Sequence, residues 1–306
     1  MTQLASLSID LDDKWAYLRS RGDAAWESRP SYLAEVTPRI VDFLGERGLP
    51  CSVFVVGKDL TRDPGARAVE RFAAAGFEIA NHSQSHWPWL DTLPPEEIER
   101  EIAEAEAGIE RITGVKPTGF RAPGFSWSPE VLAVLARRGY AYDSSVFPTF
   151  VGPLARAYVK LSGFRSKDAS DDAPEQRFSS LSDALRSLRP HRLETPEGPL
   201  IELPVTTAPL MRSPVHFTYL SFLAQKSTAA ARGYWRTAMR LCRLRGVAPT
   251  LLLHPLDFLG EEDEPQLAYF PGMRLTREAK LSLLSDTLAD LARNRQVVTV
   301  AEHAKA

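Results

Sequence analysis

The sequence predicts an α/β fold in which a mainly parallel sheet closes as a (β/α) barrel. Short apolar, strand-like runs alternate with amphipathic, helix-like segments along most of the 306 residues, as a parallel sheet requires. Polar clusters follow five predicted strands at their C-terminal ends, where such barrels place their active sites, whereas open sheets use mainly one switch point. The clusters are Asp10 with Asp12, His82, Arg121, Asp143 and His254.

The first predicted elements follow from hydrophobic periodicity. Leu7, Ile9 and Leu11 alternate with polar residues, which is the period of a half-buried strand. Apolar residues of 32–47 share one helical face, and Gly48 ends that helix. The same reasoning predicts helices over 64–75, 94–114, 129–138 and 276–294, and strands over 51–57, 77–80, 119–121, 140–142, 200–203, 250–253 and 296–300.

Residues of about 150–199 interrupt the alternation. The stretch 162–180 is polar and rich in turn residues, whereas 153–161 and 214–224 are apolar and aromatic. Long irregular segments inside a domain are commonly functional. We therefore predict one domain over 1–306 with an insertion that contains some helix, extends at most to residue 225 and covers the site as a lid.

Composition narrows the class of protein. A formal net charge of -2 gives no sign of nucleic-acid binding. Cys51 and Cys242 are expected to be buried free thiols. The first residues do not resemble a signal peptide, and no apolar run approaches the ~20 residues of a membrane span, so we expect a cytoplasmic protein. The composition indicates no oligomeric state.

Two pairs of residues suggest a metal site. Asp10 and Asp12 lie two apart on a strand and point to the same side, and His82 and His86 lie four apart around a polar turn. A divalent metal held by one Asp and two His, with positions open for water, needs about this set. The alternatives are a pair of strand-end caps and two ordinary histidines.

Four further residues have a functional and a structural interpretation. Arg121 forms either a structural ion pair or the group that keeps Asp10 ionised and oriented. Gly124 follows a proline in a turn that can direct its N–H into the cleft as an oxyanion donor. His254 is either a core histidine or a general acid. Asp143 either orients an imidazole or Arg121, or caps a turn.

The remaining histidines and aromatic residues carry weaker signals. His191, His216 and His303 have no supporting pattern and are expected to be structural. Aromatic side chains near the motifs either stack on a sugar ring or pack in the core. They are Trp15, Trp26, Trp87, Trp89, Phe125 and Trp127, of which Trp87 and Phe125 are the candidates for substrate contact.

Taken in order, these motifs resemble those of the polysaccharide deacetylases, the metal-dependent carbohydrate esterase family four. The resemblance covers about residues 5–145 closely and 248–301 less closely. The motifs that carry it are Ser8-Ile9-Asp10-Leu11-Asp12-Asp13, His82-Ser83-Gln84-Ser85-His86, Arg121-Ala122-Pro123-Gly124, Tyr142-Asp143-Ser144-Ser145 and Leu253-His254-Pro255.

The resemblance implies a deformed (β/α) barrel of about seven strands and an enzyme that removes an acetyl or formyl group from the nitrogen of an amino sugar. It assigns Asp10 as the general base supported by Arg121, and His254 as the general acid, which Asp143 tunes. Zinc is the favoured metal, and cobalt, nickel and iron are alternatives, because N and O ligands suit several ions. The implied ligands are Asp12, His82 and His86.

The chain departs from the common family pattern in three places. One residue separates the two aspartates of the first motif, so Asp12 or Asp13 is the ligand, and strand alternation favours Asp12. Phe147 is the residue nearest to the place of the usual Trp in the fourth motif, and the minimal family lacks the 150–199 insertion.

The apolar insertion and the run at 214–220 suggest a small or lipid-linked substrate in a closed pocket. The alternatives are hydrolysis of a non-sugar amide or cyclic imide and, third, a non-catalytic metal-binding or carbohydrate-binding module.

Overall fold

The computed structural model of the chain describes residues 3–150 and 184–306, and one nine-stranded sheet runs through this part of the chain. The strands are Gln3–Leu11 (β1), Ser52–Val55 (β2), Glu78–Asn81 (β3), Gly119–Phe120 (β4), Tyr142–Asp143 (β5), His191–Thr195 (β6), Gly198–Glu202 (β7), Thr207–Ala208 (β8), Ser213–Pro214 (β9), Thr250–Leu253 (β10) and Arg295–Val298 (β11). The α-helices are Lys14–Ser20 (α1), Leu33–Gly45 (α2), Asp63–Ala74 (α3), Pro95–Thr113 (α4), Pro129–Arg137 (α5), Phe217–Ala224 (α6), Thr228–Arg245 (α7), Arg277–Arg293 (α8) and Val300–Ala304 (α9).

The sheet has the parallel arrangement that the β–α alternation predicted. Its strand order is β10-β1-β2-β3-β4-β5-β7-β6, with β11 paired to the start of β1. Within this sheet of the described residues only the β6–β7 pair is antiparallel, and β8 and β9 form a separate two-stranded antiparallel ribbon. Because the paired strands from β10 to β7 run in one direction, their C-terminal ends lie along a common edge.

An irregular segment after β7 extends the sheet toward β10. The Leu203 N–H donates to the Asp143 carbonyl at 2.8 Å, as a continuing strand would. Three residues on, the Thr206 N–H donates to the Thr250 carbonyl at 3.4 Å, and the Thr250 N–H donates to the Thr206 Oγ1 at 2.6 Å. Segment 203–206 therefore joins the two sides of the sheet where a regular barrel would place another strand, and the predicted α/β fold of a deformed barrel is confirmed.

Helices cover the outside of this sheet with one apolar face each. In α4, Ile98, Ile102, Ala105 and Ile109 recur at helical spacing and are buried, while the charged residues at the start of the helix face solvent. Gly114 ends α4 in the left-handed conformation, with φ +72°. The helices predicted over 32–47, 64–75, 94–114, 129–138 and 276–294 are all present within two residues of their ends.

The last predicted strand ends earlier than expected. The strand over 296–300 stops at Val298, because Thr299 begins helix α9 with a capping box. The Glu302 N–H donates to the Thr299 hydroxyl at 3.2 Å, and the Thr299 N–H donates to the Glu302 carboxylate at 2.9 Å. The cap outweighs the β-branched composition of this segment.

Residues 151–183 of the predicted insertion lie outside the described residues. The part that follows belongs to the sheet as the β6–β7 hairpin and to the core as α6, whose Phe217 and Leu220 are buried. Cys51 and Cys242 are buried free thiols, as predicted. No helix in the described ranges is long and apolar enough to cross a bilayer.

Candidate active site

Side chains from the C-terminal ends of β1, β3 and β10 meet in one cavity of about 810 Å³, here called the site cavity. Asp10 and Asp12 enter it from the end of β1, His82 and His86 from the loop after β3, and His254 from the turn after β10. The other residues that line it are Ala16, Tyr17, Ser20, Arg21, Pro88, Ala122, Gly124, Phe125, His216, Thr218, Tyr219, Tyr269, Phe270 and Pro271.

Asp12, His82 and His86 form a cluster that could hold a metal ion. The Asp12 Oδ1 lies 3.1 Å from the His86 Nε2 and 3.5 Å from the His82 Nε2, and the candidate ligand atoms all lie within 4.8 Å of one another. This buried Oδ1 accepts no hydrogen bond from a described residue, which is costly unless a cation satisfies it. One carboxylate oxygen and two imidazole nitrogens therefore fit a divalent metal.

The protonation of this cluster suits metal binding. Burial alone would raise the pKa of Asp12, but the nearby imidazoles of His86, His82 and His254 lower it well below its usual value. Burial lowers the pKa of His82, which favours the neutral ring. The His82 Nδ1 lies 2.7 Å from the Arg121 carbonyl oxygen, so this nitrogen carries the proton and Nε2 is left as the free donor atom.

The loop that carries His86 has a strained backbone. Ser83 and His86 have φ of +62° and +50°, a region that residues other than glycine rarely occupy. The Asn81 side chain holds the first turn by accepting the Ser83 N–H at 2.8 Å. Arg19 holds the second, because its guanidinium donates to the carbonyls of Ser85 at 3.0 Å and His86 at 2.5 Å. Helix α1 thus fixes the position of the second histidine.

Asp13 faces away from the histidines. Its Oδ1 accepts the backbone N–H of Lys14 at 2.7 Å and that of Tyr32 at 3.3 Å, so it caps helix α1. The sequence left Asp12 and Asp13 as alternative ligands, and the structure places Asp12 beside the two imidazoles.

Asp10 is held by a buried arginine. The Arg121 Nη1 lies 2.6 Å from the Asp10 Oδ1, and the Asp10 Oδ2 lies 4.0 Å from the His82 Nε2. Arg121 is fully buried, and its other donors bond the Ser8 hydroxyl at 3.0 Å and the Ser144 carbonyl and hydroxyl at 3.1 and 2.9 Å. Four of the five guanidinium N–H donors therefore have partners, and this network fixes the Asp10 carboxylate at the edge of the cavity.

His254 contacts a different acid from the one the resemblance implied. Its Nδ1 lies 3.3 Å from the Thr218 hydroxyl, which lies 3.4 Å from the Asp257 Oδ1. The other Asp257 oxygen accepts the backbone N–H of His254 at 2.8 Å. Asp143 instead accepts the Ser145 hydroxyl at 2.5 Å, and its side chain also hydrogen-bonds that of Glu202.

Asp143 and Glu202 form a buried carboxyl pair beneath the site. Both are fully buried, and the Val146 N–H donates to the Glu202 Oε1 at 3.1 Å. Burial raises the pKa of Glu202 well above its usual value, and the Asp143 carboxylate raises it further. The two residues therefore share a proton, and the Ser145 hydroxyl that bonds Asp143 also accepts the Ala122 N–H at 2.8 Å.

We expect Glu202→Gln to stabilise the protein increasingly as the pH rises. In the unfolded wild type Glu202 loses its proton near pH ~4.3, whereas the raised pKa of Glu202 keeps it protonated in the fold. The stability of the wild type is therefore fully present below that pH and falls above it, by at most about 1.4 kcal/mol per pH unit. Glutamine donates to Asp143 at every pH.

Thermal denaturation of both proteins between about pH 5 and pH 8 tests this expectation. The control is Glu197→Gln, which changes an exposed glutamate in the β6–β7 turn and should leave the difference from wild type constant. A Glu202→Gln difference that is the same at every pH would contradict the shared proton.

Of the predicted substrate contacts, Gly124 and Phe125 line the site cavity, and Trp87 is not among its lining residues. The Trp87 ring packs on Trp89 with 5.3 Å between centroids, and Pro88 reaches the cavity instead. Gly124 has φ +62°, and a Cβ there would lie 2.9 Å from the Pro88 carbonyl oxygen, so only glycine fits this turn.

His216 was predicted to be structural, but it lies in the site cavity. Its ring centroid is 5.9 Å from that of His254 and 5.7 Å from that of Phe147, and its buried Nδ1 has no hydrogen-bond partner among the described residues. Burial lowers the pKa of His216 well below its usual value, and His254 and Arg121 lower it further, which leaves the ring neutral. No pattern in the sequence indicated the position of His216, which results from the packing of α6 against β10. His303, by contrast, is structural as predicted and lies 2.9 Å from the Ser6 hydroxyl.

Residues 22–142 of this chain match the sequence profile of the polysaccharide deacetylase family. The chain is 33% identical over 106 residues to a chitooligosaccharide deacetylase of Bradyrhizobium, which covers 34% of this chain and 47% of that protein. It is 32% identical over 89 residues to a peptidoglycan-N-acetylglucosamine deacetylase of Bacillus cereus. This match covers 29% of this chain and 31% of that protein. The matches thus span about half or less of these relatives.

A solved structure has the same fold. The chain superposes on a protein of Mycobacterium smegmatis assigned to the polysaccharide deacetylases, with a TM-score of 0.65 and 21% identity over 100% of this chain and 90% of the other. At this identity the similarity shows the architecture alone.

Proposed function

Because this chain belongs to the polysaccharide deacetylase family, we propose that it is a metal-dependent hydrolase that removes an acetyl or formyl group from the nitrogen of an amino sugar or sugar-containing small molecule. One observation carries the proposal. Asp12, His82 and His86 form a candidate metal centre in the same cavity as the arginine-paired Asp10 and His254.

The metal would be held by Asp12, His82 and His86. Zinc is the favoured ion, and cobalt, nickel or iron suits the same N and O donors. A divalent ion held there supplies a Lewis acid that lowers the pKa of water toward ~7. The neutral His82 ring and the ionised Asp12 leave the centre with a net positive charge, as this chemistry requires.

The remaining steps belong to residues of the chain. The Asp10 carboxylate accepts a proton from the water that attacks the N-acyl carbonyl, and Arg121 keeps Asp10 oriented throughout. The Gly124 N–H donates to the developing oxyanion. His254 then protonates the amine that leaves, with Thr218 and Asp257 fixing the direction of its ring. In this scheme Asp143 has a positioning role. It accepts the Ser145 hydroxyl, and that hydroxyl accepts the backbone N–H of Ala122 in the loop that follows Arg121.

The volume of the site cavity and its aromatic residues favour a small substrate. A volume of about 810 Å³ lies within the range of small-molecule sites. Phe125, Tyr219, Tyr269 and Phe270 supply aromatic walls that suit the apolar face of a sugar ring. A lipid-linked sugar is included in this proposal. We also propose a reducing, cytoplasmic compartment, because both cysteines are buried free thiols.

A substrate panel tests the proposal. The zinc-loaded protein is assayed for release of amine from monomeric N-acetyl and N-formyl amino sugars, from chitin oligomers and from a cyclic imide. We expect turnover of the N-acyl sugars, with higher kcat/KM for monomers than for oligomers.

Each of the other outcomes would contradict part of the proposal. Preference for oligomers would contradict the small substrate. Turnover of the imide alone would favour the non-sugar amidohydrolase, and a bound metal without any turnover would favour a binding module.

A further inference from the structure

One stretch of the chain has no acidic side chain. Residues 203–256 contain seven cations and no Asp or Glu, although the whole chain holds 39 acidic residues and has a formal net charge of -2. The cations are Arg212, Lys226, Arg232, Arg236, Arg240, Arg243 and Arg245. The region that contains α6 and α7 is therefore strongly basic on a chain that is otherwise acidic.

On α7 the basic side chains face outward. Trp235, Ala238 and Cys242 are buried in the core, while Arg240 and Arg245 are exposed and form no ion pair with any residue in the described ranges. Leu244, four residues after Arg240 on the same outer side, is 77% exposed. The outer side of the helix thus combines unneutralised arginines with an exposed aliphatic residue.

The tip of the β8–β9 ribbon exposes two more apolar side chains. Leu210 and Met211 are 65% and 48% exposed. Leu210 has φ +74°, a conformation that turns normally give to glycine or asparagine. A leucine held in this conformation in solvent has a cost for folding, and such strain in a native structure is often functional.

The ribbon and the end of α7 form one surface. In the first half of α7, the Tyr234 hydroxyl contacts the ribbon by donating to the Pro214 carbonyl at 2.6 Å. At the other end, Arg189 donates to the Arg245 carbonyl at 2.5 Å, and Arg189, Leu210 and Arg245 line a shared depression. We define the arginine–leucine surface as Arg189, Leu210, Met211, Arg240, Leu244 and Arg245.

We propose that the arginine–leucine surface docks this protein on an anionic phospholipid membrane. Exposed arginines at the surface are attracted to anionic headgroups, and the leucine and methionine side chains can enter the boundary between headgroups and acyl chains. A nucleic acid would also attract the arginines, but aliphatic side chains at a strained tip offer its bases no stacking partner. The surface therefore favours lipid, and it would bring the enzyme to substrates at a membrane.

Sedimentation with vesicles tests the proposal. The full chain is mixed with vesicles of phosphatidylcholine alone or with added phosphatidylglycerol, and we expect salt-sensitive binding to the anionic vesicles only. Arg240→Gln with Arg245→Gln should weaken binding about 25-fold, at about five-fold for each arginine. Leu210→Asn with Leu244→Gln should also weaken it, and asparagine tolerates the left-handed backbone.

A matched variant distinguishes the effect of this surface from the effect of removing two positive charges from the protein. Arg67→Gln with Arg100→Gln removes two exposed arginines from α3 and α4 and should leave binding unchanged. Equal losses in both arginine pairs would overturn the proposal, and so would equal binding to neutral vesicles or no binding at all. Tighter binding to a DNA oligonucleotide than to anionic vesicles would assign the surface to nucleic acid instead. Turnover of a soluble N-acyl sugar is expected to be unchanged in every variant, so failure here is distinct from failure of the proposed function.

Discussion

Replacing Asp10 with asparagine is expected to lower kcat by about 10²- to 10⁴-fold while the protein keeps its metal. Asparagine has the shape of aspartate but cannot accept the proton of the attacking water. The fold should tolerate the change, because Arg121 retains its bonds to Ser8 and Ser144. The measurement is kcat on an N-acyl sugar together with the metal content of the purified protein.

The matched control for this variant is Asp13→Asn. An asparagine oxygen can accept the same two backbone N–H groups that Asp13 accepts at the start of α1, so turnover and metal content should stay near those of wild type. Full activity in Asp10→Asn would remove Asp10 from the mechanism. Loss of metal from Asp10→Asn would instead make Asp10 a ligand.

Replacing His82 with alanine is expected to remove both the metal and the activity. His82 supplies one of three candidate donor atoms, and its ring is fixed by the Arg121 carbonyl. Changes to the groups that only support a ligand weaken metal binding by about 10- to 100-fold, so loss of the ligand itself should exceed about 100-fold. Equilibrium dialysis against zinc, with turnover measured at saturating zinc, checks both effects.

His191→Ala serves as the control for the loss of one imidazole. His191 lies at the start of β6, and its ring contacts the Arg189 carbonyl rather than the metal cluster. This variant should bind zinc as wild type does. If His82→Ala retained full zinc affinity, the Asp12–His82–His86 cluster would not be the metal centre.

Much of this site could be predicted because the spacing of residues along a strand determines the side to which their side chains point. Alternation along β1 places Asp10 and Asp12 on the same side, and both line the site cavity. The apolar run before His254 likewise placed that residue at the end of β10. Where a regular element carries a residue to the edge of the sheet, the pattern in the sequence was sufficient.

The unpredicted parts depend on contacts between distant segments. Thr218 and His216 reach the site because α6 packs against β10, and no local spacing encodes that approach. In the turn after β10, Asp257 rather than Asp143 contacts Thr218 and the backbone N–H of His254. The choice between Asp12 and Asp13 was, in contrast, locally encoded, because an aspartate directly before a helix is a common cap.

The left-handed backbone at Ser83 and His86 has a consequence for the timing of site assembly. Arg19 and Asn81 hold the bend through hydrogen bonds that involve no ligand atom of the metal cluster, so these bonds do not depend on the ion. Its energetic cost is therefore a part of the folding equilibrium, and an arriving ion meets donor atoms that need little rearrangement. Arg19, which is not a candidate ligand of the ion, therefore contributes to the affinity for the ion by fixing this loop during folding.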